Sequence, residues 1–147
     1  MPNPTFRLAE TVVHLGAQRI SVDRNDDAYW AARDRPELRT GSVISVFAYT
    51  KTWNYQERHP SADELAVVLT GRARVLLDDG RGDRSTELAP GAGCVVPAGT
   101  WHRLAVDEPC TVLFVTPVPV RTEHRDVDGG ERSCTRCGDE VTIAAEP

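Results

Sequence analysis

The 147-residue sequence contains a single lysine, Lys51, so nearly all of its positive charge is arginine. Acidic residues outnumber basic ones by 22 to 17, and the net charge of −5 argues against a nucleic-acid backbone or an anionic membrane surface as the main partner. Long apolar runs are missing too. The longest, "LAVVL" and "VLFV", fall far short of the roughly 20 residues that span a bilayer. The opening "MPNPTFRLAE" lacks the basic start and apolar stretch of a signal peptide, which points to a cytoplasmic protein. In that compartment the four cysteines, Cys94, Cys110, Cys134 and Cys137, are expected to be reduced, with no disulfide framework.

Helical periodicity is equally scarce. Only "DDAYWAARDRPEL" reads as a short helix, capped by Asp26 or Asp27 and stopped before Pro36. From Gly41 to Pro119 the pattern is β throughout. About eight short strands are separated by Gly, Pro and Asp turns, including a tight turn expected at Gly71-Arg72 between "ELAVVLTG" and "RARVLLDDG". "HRLAV" and "CTVLFVTP" read as two further strands, and "TFRLAETVVHL" (5–15) as an extended arm or edge strand. Past Val120 the chain turns polar and charged, and no internal repeat is found. An antiparallel sandwich or barrel fits this pattern.

Against that background the acids and histidines near 57–64 stand out, because unpaired charge is costly to bury and calls for a partner, a hydrogen bond or a metal. Residues two apart on a strand share a face, so "WNYQERH" aligns Trp53, Tyr55, Glu57 and His59. Glu64 shares a face with Ala66 and Val68, and His102 with Leu104 and Val106. If those faces line a barrel, imidazoles and carboxylates converge among apolar residues. Such a donor set leaves open positions on a non-haem iron and also suits zinc, manganese or nickel.

The same residues carry a family resemblance. Residues 57–71, "ERHPSADELAVVLTG", resemble the first motif of the cupins: two histidines one residue apart, three or four residues, glutamate, six residues, glycine. His59 stands at the second histidine, followed by "PSAD", Glu64, "LAVVLT" and Gly71. Residues 91–102, "GAGCVVPAGTWH", resemble the second motif through Gly91, Pro97, Gly99 and His102. The chain departs from the pattern at the first histidine, which is Glu57, and at the usual later asparagine, which is Val106. The wider run is similar to small bacterial single-domain cupins with a tryptophan and Glu-x-His-Pro near the first motif and "VTP" then "TEHR" near the end.

The resemblance implies an all-β double-stranded β-helix, or jelly-roll barrel, over 41–120. Residues 1–40 would form an arm and short helix on it, and 121–147 a polar tail. It further implies one divalent metal ion per barrel, Fe2+ first and Zn2+, Mn2+ or Ni2+ next. His59, Glu64 and His102 would hold it, with Glu57 as a fourth ligand, a general base or an anchor for ligand. Trp53, Tyr55, Leu104 and Val106 would wall the substrate pocket. The function implied is a mononuclear metal oxygenase acting on a small organic molecule. A metal-dependent isomerase or cyclase and a non-catalytic small-molecule sensor are the alternatives. A homodimer is expected through exchange of the N-terminal arm.

Other residues have plainer readings. Asp63 caps its loop, Trp101 faces away from His102, and Cys94 and Cys110 are buried inert thiols. His14 is structural; His124 in "TEHR" could fold back over the barrel mouth, though no spacing demands it. "CTRCG" offers Cys134 and Cys137 as half of a second metal site, two ligands where structural zinc takes four.

Overall fold

The computed structural model of the chain describes residues 5–32, 35–78, 80 and 83–127. Cys134 and Cys137 lie outside the described residues. The elements run β1 (Thr11–Leu15), β2 (Ile20–Arg24), α1 (Asp27–Ala31), β3 (Ser42–Tyr49), β4 (Tyr55–Arg58), β5 (Glu64–Asp78), β6 (Asp83–Leu88), β7 (Gly93–Val96), β8 (Trp101–Pro117) and β9 (Glu123–Asp126). A single-turn 3-10 helix lies at Leu8–Glu10 and another at Pro36–Arg39. Every strand pairing is antiparallel.

Two strands organise the rest. β5 and β8, of 15 and 17 residues, pair with one another along most of their length. The first half of β5 and the last half of β8 belong to a sheet that also holds β7, β3, β1 and β2. Their other halves join β6, β4 and β9. The result is a double-stranded β-helix. Its core draws on both sheets, with Ala66, Val68, Val112 and Phe114 meeting Trp53, Tyr55, Val75 and Leu104. Helix α1 starts where the Asp26 carboxylate accepts the Tyr29 N–H at 2.9 Å, which satisfies one of the first-turn amides. It packs Tyr29 and Trp30 on Val12, Leu38, Val43 and Val120.

Four sequence expectations are corrected here. Gly71 does not make a hairpin turn; it lies inside β5, where register shifts between Val68 and Ala73 bend the strand against β8. The shift also changes which residues face inward, from Glu64, Ala66 and Val68 to Ala73 and Val75. "HRLAV" and "CTVLFVTP" form one strand rather than two, because Asp107, Glu108 and Pro109 continue it on the exposed side. Residues 20–24 form an edge strand that the sequence did not announce, and the 11–15 arm pairs with it and with β3 of its own chain. The sheet also runs past Val120: β9 pairs with β4 from Tyr55↔Asp126 to Arg58↔Glu123.

Gly71 has a φ of +77°, and a Cβ there would lie 2.1 Å from the Pro109 carbonyl oxygen, a backbone atom that cannot swing aside. Gly91 has a φ of +85° but open space around it. Gly91→Ala should therefore cost only the backbone strain, about 1 kcal/mol, whereas Gly71→Ala should cost roughly 3 kcal/mol or more. Thermal melts check this: the Gly71 variant should lose roughly 10 °C and the Gly91 variant a few degrees. Equal losses would place no close contact at Gly71.

Candidate metal centre

The barrel brings Glu57, His59, Glu64 and His102 together as a fully buried group whose ligand atoms all lie within 4.8 Å of one another. Register accounts for it. Glu57 on β4 stands directly opposite His102 on β8. Glu64 opens β5 beside Val96, and His59 follows β4 by one residue. The loops of the two motifs are stitched to each other: the His59 carbonyl accepts the Gly99 N–H at 2.8 Å, and the Asp63 carboxylate accepts the Ala98 N–H at 2.8 Å. Asp63 is thus a loop cap, as expected.

Each imidazole is oriented from behind. The Nδ1 of His59 lies 3.0 Å from the Arg121 carbonyl and that of His102 lies 3.1 Å from the Thr100 carbonyl. A carbonyl only accepts, so Nδ1 carries the hydrogen and Nε2 presents its lone pair when the ring is neutral. Both Nε2 atoms are buried without a hydrogen-bond partner. They face the carboxylates instead. His59 Nε2 lies 3.0 Å from Glu64 Oε2 and 3.6 Å from Glu57 Oε1, and His102 Nε2 lies 3.4 Å from Glu57 Oε1 and 3.6 Å from Glu64 Oε1.

These separations fit a shared ion. Neighbouring ligands about 2.1 Å from a metal lie roughly 3.0–3.4 Å from each other in tetrahedral or octahedral geometry. One oxygen of each carboxylate also has a partner from outside the ring. Thr116 donates its hydroxyl to Glu64 Oε2 at 2.8 Å, and His124 Nε2 lies 3.2 Å from Glu57 Oε2. His124 is fully buried and part of the site. Sequence spacing did not demand His124 there, since "TEHR" lies in a stretch that reads as polar tail.

Burial opposes a charged imidazole, but here the two glutamates outweigh it. Glu57 and Glu64 raise His102 to about 9, and they hold His59 well above the ordinary histidine range.

The expected pocket wall is half present. Trp53 and Leu104 line a small cavity with Ala66, Val75, Val96 and Phe114, beside Glu64 and His102. Tyr55 and Val106 do not line it. Tyr55 stacks on the far side of Trp53, 5.1 Å between ring centroids, and meets His124 edge-on; Val106 packs against the core. The cavity holds about 10 Å³, the space of roughly one water. A concavity of about 650 Å³ is an open surface groove along Ala9–Thr11 and Val22–Asn25, and none of the four clustered residues lines it.

The remaining readings hold. Trp101 faces outward, with the guanidinium of Arg58 4.6 Å and that of Arg125 4.3 Å from its ring. His14 is buried and its Nε2 lies 2.8 Å from the Thr40 carbonyl. Burial pushes the thiols of Cys94 and Cys110 up, as inert thiols require, though only Cys110 is fully buried and Cys94 is half-buried.

With this geometry in view, residues 50–116 match the cupin domain family. A cupin-2 domain protein from Shewanella frigidimarina is similar in structure with a TM-score of 0.45 and 20% identity, over 52% of this chain and 70% of that one. A double-stranded β-helix protein from Klebsiella pneumoniae gives 0.49 and 21%, over 56% and 73%. Fe(II)-HppE with the alternative substrate (S)-1-HPP gives 0.44 and 16%, over 50% and 41%. These are similarities of fold only. No curated protein matches the chain in sequence. Among the described residues, no helix is long and apolar enough to cross a membrane.

The clustered site sets a pH signature. A folded-state pKa of about 9 for His102, against 6.5 ordinarily, is on the order of 3 kcal/mol of stability. That contribution is complete below pH 6.5 and is lost as pH rises through about 9. The metal-free protein should therefore melt progressively lower between those limits. With the ligands deprotonated by a bound ion, the loss should vanish, and loading at pH 7 should release roughly one to two protons. Calorimetric melts across pH, with and without divalent metal, check both. A metal-free melting point that does not fall over this range would contradict the assignment of charge.

Proposed function

We propose that this cupin binds one divalent metal ion through Glu57, His59, Glu64 and His102 and acts as a mononuclear non-haem oxygenase on a small organic molecule. The observation that carries the reading is the convergence of two buried Nε2 atoms, oriented by carbonyls behind each ring, on the carboxylates of Glu57 and Glu64, with all four ligand atoms within 4.8 Å of one another. A divalent ion there would balance two buried carboxylates and take both Nε2 lone pairs at once. Two imidazoles and one or two carboxylate oxygens leave coordination positions open, and iron(II) is the ion such a set favours for oxygen chemistry. Bound there, the ion would supply Lewis acidity and one-electron chemistry toward dioxygen.

The protein's own part is to hold donors and exclude water. Trp53 and Phe114 form an apolar wall beside His102, around a space of about one water. A second small cavity borders His59 and Thr116 and reaches exposed residues at Ser61, Pro119 and Arg121, a route for an organic substrate. Glu57 acts here as a ligand rather than a free base, since Oε1 faces both Nε2 atoms and Oε2 is taken by His124. Cys94 and Cys110 are free thiols, in keeping with a cytoplasmic protein.

A homodimer belongs to the same reading, with different support from the arm exchange first expected. Val22, Val13, Ile44, Val115, Leu65 and Val95 form one cross-strand row on the outside of the larger sheet. Val22, Leu65 and Val95 are exposed. Light scattering should give twice the chain mass, and a monomer mass at micromolar concentration would remove this part.

His59→Ala and His102→Ala should each abolish stoichiometric metal, because a site of three or four ligands does not survive losing an imidazole that faces the ion. Glu57→Gln should lower affinity roughly 10- to 100-fold, with occupancy recovered at high metal. Elemental analysis of purified variants reads the first outcome and metal titration the second. A double His59→Ala, His102→Ala variant that kept full metal would remove the site. Oxygen uptake by the iron form across small organic acids and phenols tests the reaction class. No uptake with iron bound would favour the small-molecule sensor.

A further inference from the structure

β9 was expected to be tail, yet it supplies much of what holds the centre together. The Arg121 carbonyl just before it fixes His59, and Thr122 Oγ1 approaches the same Nδ1 at 3.4 Å. His124 sits directly opposite Glu57 in the β4–β9 register. Its Nε2 lies 3.2 Å from Glu57 Oε2, while its Nδ1 is buried without a hydrogen-bond partner. The ring is completely enclosed, against Tyr55 at 5.5 Å between centroids. A fully buried imidazole whose hydrogen-bonding is spent on one carboxylate oxygen has a defined task.

We propose that His124 is a positioning residue of the metal centre: its Nε2–H holds Oε2 of Glu57, so that Glu57 turns only Oε1 toward His59 and His102. Resting on the metal reading above, this makes Glu57 a one-oxygen donor. A carboxylate released from such a partner can rotate and offer both oxygens, which fills a position that the chemistry needs open. His124 also offsets the change at the first histidine of the motif. An imidazole ligand there would present one nitrogen to the ion, and Glu57 held at Oε2 likewise presents one atom. Glu64 is held differently: Thr116 donates to Oε2 at 2.8 Å, the oxygen that also faces His59.

Titration with cobalt(II), followed by visible absorption and by affinity, tests the inference without turnover. His124→Leu keeps an apolar side chain in the enclosed space and removes the donor. It should weaken cobalt binding 10- to 100-fold and shift the spectrum toward higher coordination number. His124→Gln, whose amide N–H reaches a similar point, should restore the wild-type spectrum. In a Glu57→Gln background, His124→Leu should add little further loss, since it acts through Glu57. Wild-type affinity and spectrum in His124→Leu would overturn the proposal, as would losses that add in full with Glu57→Gln. Should the leucine variant fail to melt cooperatively, the glutamine variant decides: a wild-type spectrum supports positioning, and an altered one at unchanged melting temperature refutes it. Wild-type protein that takes up no cobalt would fail the metal reading itself, a distinct result.

Discussion

Enclosing two carboxylates and two imidazoles in an apolar barrel is the constraint on which the remaining structure depends. Each ionised group taken from water costs several kcal/mol even after relaxation, and the cost is met only where every lone pair and proton has a counterpart. Here the counterparts come in two layers. Inside, the four side chains face one another at 3.0–3.6 Å. Outside, His124 and the carbonyls of Thr100 and Arg121 take atoms that point away, and Thr116 adds a donor to Glu64 Oε2. Removing one inner member leaves the others uncompensated, so the site behaves as a unit rather than as four separable residues.

The barrel's irregularities serve that arrangement. A regular β5 would carry the inward set of Glu64, Ala66 and Val68 on to even-numbered residues throughout. The bend around Gly71 exchanges the parity and turns Ala73 and Val75 inward on the second sheet. β8 needs no exchange: His102, Leu104, Val112, Phe114 and Thr116 all face the core. One long strand thus brings His102 to Glu57 at one end and Thr116 to Glu64 at the other. The contact of Gly71 with the Pro109 carbonyl is where the two long strands cross most closely among the glycines of the described strands.

Much of this was legible in the residues. The period-two faces of 53–59 and 102–106, with two motifs spaced as in cupins, named all four clustered residues before any coordinates. Strand count was less legible, because "ASP-GLU-PRO" at 107–109 and glycine at 71 have the local chemistry of turns. A turn residue marks a change of direction, but a strand that bends around a barrel corner uses the same chemistry without ending. The pocket wall was overread for a related reason. Sharing a face with Glu57 and His59 puts Tyr55 inside the barrel, yet stacking on Trp53 carries it behind the indole and toward His124. A face is a direction, and which inward residue borders a cavity depends on the neighbours that fill the space between.

The boundary at Val120 failed on composition. "RTEHRD" has almost no apolar material, and such a segment ordinarily cannot offset the entropy of ordering it. β9 docks by another route. Arg58 pairs with Glu123, and Arg125 bonds Gln56 at 2.6 Å and Asp78 at 3.1 Å while both guanidiniums cover Trp101. Beneath them Thr122 and His124 point inward and are spent on His59 and Glu57. Partly exposed ion pairs contribute little each, about 0–1 kcal/mol, so this strand is held less firmly than the apolar pairing of β5 with β8. Its order is therefore tied to the centre it completes: whatever stabilises Glu57 and His59 in place also favours the strand that positions them, and the polar tail end of the barrel is ordered by the site rather than by the core.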